Sequence, residues 1–418
     1  MFSPARPGDA IANLFARGVR DAGITHVLRI VRKQLGMDVA FVSSFREEDR
    51  VFEHVDSDGV APIHVGQTIP LQEGYCLKIV RGELPQLIPD TSAVPAAMAI
   101  PATQAIPIGS HLSVPVLLEH GEVYGTLCCF SHQSNFNLGD RDLSMLRAFA
   151  EVIAHRVDED LALSRHKARA TEVILAAIAA GAPRIVYQPI YAIDAQTLVG
   201  VECLSRFDSE PQRSPDKWFD EAREAGVQLE LELHAIRNAI AAIDAFPSAV
   251  YLGINSSPEL ILSGRLAPMI ADVDAARLVL EITEHATVTD YEALIRALRP
   301  IRERGVRIAV DDAGAGYASM RHILSLKCEI IKLDMSLTRD IDTDPGRRAL
   351  ARGLISFACE IGSDITAEGI ETRGELEALR NLGVQKAQGY YLSRPGSMED
   401  ALTAFRVGCP AFAAPSSM

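Results

Sequence analysis

Six acidic or amide side chains stand near the ends of short apolar, β-like runs in the second half of this 418-residue chain. They are Glu202, Asn255, Glu281, Asp311, Asp312 and Glu368. A buried charge is costly unless it is paired or holds a metal, so several of them at equivalent strand ends predict one cation site facing solvent. The C-terminal half therefore has the pattern of a metal-dependent enzyme.

The residue types favour Mg²⁺ or Mn²⁺, because these hard cations prefer oxygen ligands in octahedral geometry. Glu202, Asn255, Glu281 and Asp311 supply four such ligands from four successive predicted strands. Asp312 follows Asp311 directly and faces a different direction, so it can help to hold a second cation. Two cations held in this way suit the splitting of a phosphodiester.

Two further charged residues extend the predicted site. Lys332 lies between apolar residues on the next strand, where its ammonium could orient a water or offset developing phosphate charge. Glu368 follows on the seventh strand, and its carboxylate could polarise the attacking water or complete the second metal site. Each residue alone also fits a helix N-cap or a surface ion pair. Their joint occurrence on successive strands favours the functional interpretation.

The elements that must position these residues are eight short β-rich runs that mostly alternate with amphipathic helical patterns. The runs cover residues 184–193, 198–207, 249–257, 277–284, 306–313, 329–334, 364–371 and 386–392. This alternation predicts an α/β TIM-like barrel, in which sites lie at the carboxyl ends of the strands. Only Asp194 to Thr197 separate the first two runs, fewer residues than a parallel crossover needs, so one strand is predicted to be antiparallel.

The first half predicts an α+β domain with an antiparallel sheet and flanking helices. Residues 38–56 and 111–131 have the pattern of strand pairs joined by polar turns. An irregular, Pro-rich stretch over 82–108 marks the face where such a domain would hold a small ligand. One long helical pattern then runs from about 140 to Gly181. It is interpreted as a helix that closes the first domain, or as a connecting helix that also dimerises and carries a signal.

Composition limits the partners and the compartment. The net charge of −14 disfavours binding to nucleic acid or to an anionic membrane, and no stretch approaches the length of an apolar membrane span. The seven cysteines are odd in number and show no CxxC spacing, which predicts reduced core thiols and a cytoplasmic protein. Cys128 and Cys129 are adjacent in a predicted strand, so their side chains should point to opposite faces.

Eight ordered motifs in the second half resemble a known family. They are YQPI (187–190), ECLSR (202–206), NSS (255–257), EITE (281–284), DDAGAGY (311–317), IKLD (331–334), AEGIET (367–372) and QGYYLSRP (388–395). Together they resemble the EAL domain of cyclic di-GMP phosphodiesterases across about 180–408. The resemblance implies hydrolysis of cyclic di-GMP to the linear dinucleotide pGpG, with Mg²⁺ or Mn²⁺ as cofactor and two ions in each active site.

The resemblance also implies a role for each matching residue. The implied metal ligands are Glu202, Asn255, Glu281, Asp311 and Asp312, and the implied catalytic residues are Glu368, Lys332 and Asp312. The implied substrate-binding residues are Gln188, Arg206, Glu371 and Gln388, and Glu284 is implied to anchor the loop after the fifth strand. The loop usually written DDFGTG carries Ala313 and Ala315 here. That departure motivates an alternative, a weak or inactive EAL domain that acts as a cyclic di-GMP receptor or protein-interaction module.

The first half resembles a GAF sensor domain over about 22–160. The resemblance rests on YCLKIVRGELPQLIPDT, IGSHLSVPV and GEVYGTLCCF, followed by the closing helix. It implies a sensor for an unidentified small-molecule signal that regulates the phosphodiesterase, in a protein expected to be a homodimer. The predicted organisation is a helical segment over 1–21, the sensor over 22–160, a connecting helix over 161–182, the barrel over 183–408 and a disordered tail over 409–418.

Overall fold

The structure of the protein, a computed structural model, describes residues 23–282, 288, 290–314 and 318–412, with the side chains of 318, 319 and 410 excepted. The predicted N-terminal segment 1–21, Glu284, Ala315 and residues 413–418 of the predicted tail lie outside the described residues. The chain divides into two compact units between His166 and Lys167.

The first unit contains a six-stranded antiparallel sheet in the order β3-β2-β1-β6-β5-β4. Its strands are β1 (Val39–Arg46), β2 (Asp49–Ser57), β3 (Thr68–Pro70), β4 (Leu87–Ile88), β5 (Ser110–Leu117) and β6 (Val123–Ser131). Its helices are α1 (23–35), α2 (Tyr75–Val80), α3 (Pro95–Met98), α4 (Pro101–Ala105) and the start of α5 (Asp140–Ala179). The predicted antiparallel sheet with flanking helices and the long helix are confirmed.

Alternation along the strands divides the core of this unit between the two faces of the sheet. Ala40, Val42 and Cys129 belong to a cluster with apolar residues of α1 and α5. Phe41 and Cys128, one residue along in each strand, belong to a second cluster with apolar residues of α2 and α3. The two adjacent cysteines therefore lie on opposite faces, as the strand pattern predicts.

The second unit is built on a closed barrel in the order β10-β11-β12-β13-β14-β7-β8-β9. Its strands are β7 (Arg184–Ala192), β8 (Thr197–Arg206), β9 (Tyr251–Asn255), β10 (Leu278–Ile282), β11 (Arg307–Ala313), β12 (Ile330–Leu333), β13 (Asp364–Ala367) and β14 (Lys386–Ala387). Strand β7 pairs antiparallel with both β8 and β14, whereas the other pairs are parallel. The TIM-like barrel with one antiparallel strand is confirmed.

Helices surround this barrel. They are α6 (Pro215–Ala225), α7 (Gln228–Ile240), α8 (Pro258–Leu262), α9 (Leu266–Met269), α10 (Tyr291–Arg302), α11 (Ala318–Leu326), α12 (Met335–Thr338), α13 (Pro345–Ile361), α14 (Arg373–Asn381) and α15 (Met398–Val407). The large core of the unit lies between strands and helices, and it includes Leu278, Leu280, Ile308 and Val310. Residues between these positions, such as Val279 and Ala309, belong to a separate small cluster. Because side chains alternate along a strand, that small cluster fills the barrel interior.

The start of the predicted disordered tail is wrong. Cys409 is buried and its thiol donates a hydrogen bond to the Leu392 carbonyl at 3.2 Å. Pro410–Phe412 form a short 3-10 helix, and the Phe412 ring packs edge-on against Tyr191 at 5.9 Å. Apolar packing at Phe412 outweighs the Ala- and Pro-rich composition on which the expectation of disorder was based. Within the described ranges, no helix has the length and apolar character needed to cross a bilayer.

Candidate active site

One polar layer lies directly above the apolar floor of the barrel. The floor contains Ile190, Tyr251, Val279, Ala309 and Ile330. Two residues further along their strands, on the same interior face, come Gly253, Glu281, Asp311 and Lys332. In β7, which runs in the opposite sense, the equivalent step leads from Ile190 to Gln188, and Gln188 pairs in register with Glu202 of β8. The strand period therefore directs these side chains to the carboxyl end of the barrel, as predicted.

Lys332 is the centre of this layer. Its Nζ lies 2.6 Å from Glu281 Oε2, 2.7 Å from Glu368 Oε1, 3.0 Å from Asp311 Oδ1 and 3.6 Å from Glu202 Oε1. The lysine is only 2% exposed and Glu281 only 1%. One ammonium thus faces four carboxylates in a place that water scarcely reaches.

Gly253 makes room for the Glu281 carboxylate. A Cβ atom at this position of β9 would lie 2.2 Å from Glu281 Oε1, far inside van der Waals contact. Because β9 and β10 are parallel neighbours, with Gly253 beside Val279 in the register, any side chain at 253 would enter the space that Glu281 crosses. The missing side chain is therefore part of the construction of the site.

The backbone conformation at the end of β11 points the side chains of two consecutive aspartates in different directions. The register against β12 shifts between Val310 and Ala313, and Asp312 adopts a positive φ of 55°. Asp311 stays buried in the layer, while Asp312 is half-buried and its N–H donates to Asp311 Oδ1 at 3.1 Å. Asp is one of the few residues that tolerate this conformation. The aspartates therefore face different directions, as the sequence predicts.

Burial and crowding shift the acid–base behaviour of the layer. Burial, together with the charges of Glu202 and Asp311, raises the pKa of Glu281 to about 8 against the opposing effect of Lys332. Burial likewise raises the pKa of Glu368 well above its usual range. Burial lowers the pKa of Lys332, but the four carboxylates outweigh burial and raise it well above its usual value. The ammonium of Lys332 thus does not offset the effect of burial on the pKa of Glu281 and Glu368.

The donor set fits a divalent cation. Glu202, Glu281 and Asp311 each offer an oxygen within 4.8 Å of the others, and so do Asp311, Asp312 and Glu368. The two groups share Asp311, and they contain only the hard oxygen donors that Mg²⁺ and Mn²⁺ prefer. An added cation would also balance the carboxylates that Lys332 leaves uncompensated.

Comparison with protein families identifies both units. The model of the EAL domain matches residues 171–395, which is more than half of the 418 residues, and the model of the GAF domain matches residues 21–158. The chain belongs to the EAL domain family. It carries a GAF domain followed by an EAL domain, as the motifs predict.

Individual relatives match the EAL domain. The "Cyclic di-GMP phosphodiesterase PA2567" of Pseudomonas aeruginosa is 33% identical over 224 residues, which are 50% of this chain and 38% of that protein. The "Uncharacterized protein y4lL" of Sinorhizobium fredii is 29% identical over 249 residues, 57% of this chain and 30% of that protein. This chain therefore spans about a third of the length of these curated relatives.

A solved structure matches the same domain. The EAL domain protein from Listeria monocytogenes EGD-e has a TM-score of 0.52 and 26% identity, and the match covers 57% of this chain and 98% of that chain. The barrel described here is therefore an EAL-type barrel over nearly the whole length of the Listeria chain.

Three other predicted site residues of the EAL domain join the layer or its rim. Gln388 Nε2 donates to Glu202 Oε2 at 2.5 Å and to Gln188 Oε1 at 3.0 Å, and both glutamines are buried. Asn255 ends β9 beside Glu281 in the register, with an exposed side chain. Arg206 ends β8, where its Nη1 donates to the Ser205 carbonyl at 2.8 Å.

Glu371 is not brought into the polar layer. Its Oε1 lies 2.5 Å from Arg339 Nη2, and the carboxylate is about half exposed. The predicted substrate-binding role of Glu371 stays a prediction. Glu284, the predicted loop anchor, lies outside the described residues.

Sequence reasoning missed a buried glutamate beneath the loop that follows Asn255. Glu232 of α7 is 8% exposed, and its Oε2 accepts hydrogen bonds from the N–H (3.1 Å) and the hydroxyl (2.8 Å) of Ser257. Gln228 Nε2 donates to the other oxygen at 2.5 Å. The available signal was an acidic residue among leucines in LELEL, at a spacing that places it on the buried side of the helix.

Proposed function

We propose that the chain hydrolyses one phosphodiester bond of cyclic di-GMP to give linear pGpG, with Mg²⁺ or Mn²⁺ as cofactor. One observation carries this proposal: a single buried ammonium, Lys332, is surrounded by four carboxylates at the carboxyl end of the barrel. Membership of the EAL family and the similarity to a protein named as a cyclic di-GMP phosphodiesterase support the same substrate.

The acidic residues would hold the cations. Glu202, Asn255, Glu281 and Asp311 are the proposed ligands of one ion, and Asp312 helps to hold the second. Bound divalent cations would supply charge stabilisation at the phosphodiester and a more acidic water. The proposal of two ions is supported by two groups of carboxylates that share Asp311.

The remaining residues act on the substrate and the proton. Glu368, whose carboxylate contacts Lys332 and stands at the solvent side of the layer, is placed to accept a proton from the attacking water. Lys332 offsets the charge that develops on the phosphate oxygens. Gln188 and Gln388 in the polar layer and Arg206 at the end of β8 are the proposed contacts of the dinucleotide, because amides and a guanidinium can hold guanine and phosphate groups.

The test is chromatographic. The purified full chain is incubated with cyclic di-GMP and Mg²⁺ or Mn²⁺, with and without chelator, and pGpG is measured. We expect a pGpG peak that the chelator removes and that Glu368→Gln reduces by about 10²-fold or more. Glu377→Gln is the matched control, because Glu377 forms an exposed ion pair with Arg373 on α14 and should leave turnover unchanged. Tight binding of cyclic di-GMP without metal-dependent pGpG would instead establish a receptor.

We further propose that the GAF domain tunes this activity in response to a small ligand. The Pro-rich stretch expected to hold a ligand forms a cleft of ≈ 490 Å³, lined by Thr91, Met98, Thr103 and His132 among others. Homodimerisation is part of the same proposal, and a monomeric mass by light scattering would contradict it. Cytoplasmic location is also proposed, since all seven cysteines are free thiols.

A further inference from the structure

The inner face of the GAF sheet contains a buried polar group that packing does not require. Ser43, Ser113, Thr126 and Cys128 are each 0% exposed, although they lie among the apolar residues that pack under α2 and α3. Cys76 of α2 closes the group from above and is 1% exposed. A polar cluster in a core is costly unless its members are hydrogen-bonded, so its contacts are informative.

Two thiols are in contact within this group. Cys76 Sγ lies 3.6 Å from Cys128 Sγ, although 52 residues separate them in the chain. Cys128 Sγ also lies 3.0 Å from Ser113 Oγ and 3.1 Å from Thr126 Oγ1, so hydroxyls hold this sulfur on the sheet. The pair is therefore fixed by β5, β6 and α2 together.

A buried cation faces the same pair. Arg50 of β2 is 5% exposed, and its Nη1 donates to Cys76 Sγ at 2.9 Å. The guanidinium stacks at 4.7 Å over the Phe52 ring and packs against the backbone of Gly74, where a Cβ would lie 2.7 Å from Nη1. In the described part of the chain, no carboxylate is ion-paired with Arg50, so the sulfur of Cys76 is the anion available to it.

The pKa values of the two thiols are shifted in opposite directions. Burial raises the pKa of Cys76, but the hydrogen bond from Cys128 and the charge of Arg50 outweigh burial and lower it well below its usual value. Burial and the neighbouring Cys76 raise the pKa of Cys128 well above its usual value. The surroundings thus favour the thiolate form of Cys76 and the protonated form of Cys128, and the 3.6 Å contact places the two sulfurs against each other.

We propose that Cys76 and Cys128 form a peroxide-oxidisable dithiol in the GAF domain, with Cys76 as the reacting sulfur, Cys128 as the resolving sulfur and Arg50 as the positioning residue. Because both sulfurs are buried, the oxidant must be as small as hydrogen peroxide.

The reaction balances in two steps. The Cys76 thiolate attacks one oxygen of hydrogen peroxide, the O–O bond breaks, and hydroxide leaves and takes up a proton, so that Cys76 becomes a sulfenic acid. The Cys128 sulfur then attacks the Cys76 sulfur, the S–O bond breaks, and the hydroxyl departs with the Cys128 proton as water. Two thiols lose two electrons and two protons, and one peroxide becomes two waters.

The experiment uses the full wild-type chain. Reduced protein is treated with graded hydrogen peroxide, quenched in acid, alkylated under denaturing conditions and analysed by peptide mass spectrometry. We expect a Cys76–Cys128 linked peptide that dithiothreitol reverses, formed about tenfold or more faster than oxidation of Cys129, which is buried on the opposite face of the sheet. If Cys76 and Cys128 remain free thiols at doses that oxidise the exposed Cys359, the proposal is overturned.

Three variants test the chemical roles of Cys128 and Arg50 separately from their structural roles. Cys128→Ser should leave Cys76 at the sulfenic acid stage, which dimedone traps, because the resolving sulfur is missing. Arg50→Met should slow formation of the linkage by about tenfold, and Arg50→Lys, which keeps the charge, should recover most of the rate. A linkage that forms at equal rates in wild type and both Arg50 variants would remove the guanidinium from the proposal.

Discussion

Each unit contains a buried cation beside groups that can carry negative charge, and the chemistry of those groups differs. In the barrel, Lys332 is 2% exposed and faces four carboxylates. In the GAF domain, Arg50 is 5% exposed and faces the thiols of Cys76 and Cys128. The barrel has more potential negative charge than its lysine can balance, which favours a further cation. The GAF site has a fixed positive charge and sulfurs that can lose a proton, which favours a thiolate.

This difference explains why the two sites suit different tasks. Carboxylates are hard ligands that bind and release a divalent cation without forming or breaking covalent bonds of their own. A thiolate beside a second thiol is instead a redox group, because its sulfur can form and break a covalent bond. Burial strengthens the charge interactions in both sites, because water is excluded from them.

The largest expected effect is that of Lys332→Met. We expect kcat/KM for cyclic di-GMP to fall by about 10³-fold and the chelated protein to lose about 3–5 kcal/mol, because the carboxylates lose their only described ammonium. Thermal unfolding in EDTA and in Mg²⁺, together with pGpG production, measures both. Lys386→Met is the control on β14: its Nζ contacts one carboxylate instead of four, the half-exposed Asp364 at 2.8 Å, so it should cost less stability than Lys332→Met and leave turnover unchanged. Equal losses in the two variants would contradict the special position of Lys332.

Next in size is Gly253→Ala. Its Cβ would lie 2.2 Å from Glu281 Oε1, so the carboxylate must move, and we expect turnover to fall on the order of 10²-fold while the protein stays folded. Isothermal titration with Mn²⁺ should show weaker binding. Gly353→Ala in α13, with nothing within 4 Å of its Cβ, should leave both properties unchanged. Wild-type Mn²⁺ affinity in Gly253→Ala would mean that Glu281 is not a ligand.

A smaller effect is expected for Arg50→Met, the counterpart of the lysine variant. The loss of one charged hydrogen bond and of the contact with Phe52 should cost the GAF domain about 1–3 kcal/mol, because the thiols become neutral by keeping their protons. Hydrogen exchange of β1 and β6 reports this loss, and chelator should not change it. Arg46→Met, whose side chain is 65% exposed on the same sheet, is the control. A loss as large as that of Lys332→Met would show that the two sites do not differ in charge balance as described.

The smallest effect belongs to Glu232→Gln. It removes one hydrogen-bond acceptor from Ser257 or Gln228, but it also removes a carboxylate whose pKa burial raises, so the net loss of stability should be below about 1 kcal/mol. Because Ser257 lies two residues after Asn255, we expect a severalfold change in KM for the metal. Glu230→Gln on the same helix, an ion-pair partner of Arg265 at the surface, should change neither quantity. Identical metal dependence in the two variants would show that Glu232 supports only packing.

Most of the barrel and of its candidate site could be predicted because the signals are local. The period of two along each strand placed Glu281, Asp311 and Lys332 on one interior face, and the short link between β7 and β8 required an antiparallel pair. Long-range contacts are of another kind. The motif predicts a substrate-binding role for Glu371, which stays a prediction, and it could not indicate that this carboxylate pairs with Arg339, a residue 32 positions away.

The sequence by itself determined which residue types stand at the strand ends, the order of the two domains and the antiparallel strand. Strand alternation and connection length are properties of neighbouring residues, so no tertiary knowledge is needed for them. Only the tertiary structure decided that Lys332 meets four carboxylates at once and that Cys76 touches Cys128 beneath Arg50. Such contacts depend on how elements far apart in the chain pack, and packing places side chains to within fractions of an ångström, a precision that periodicity does not contain.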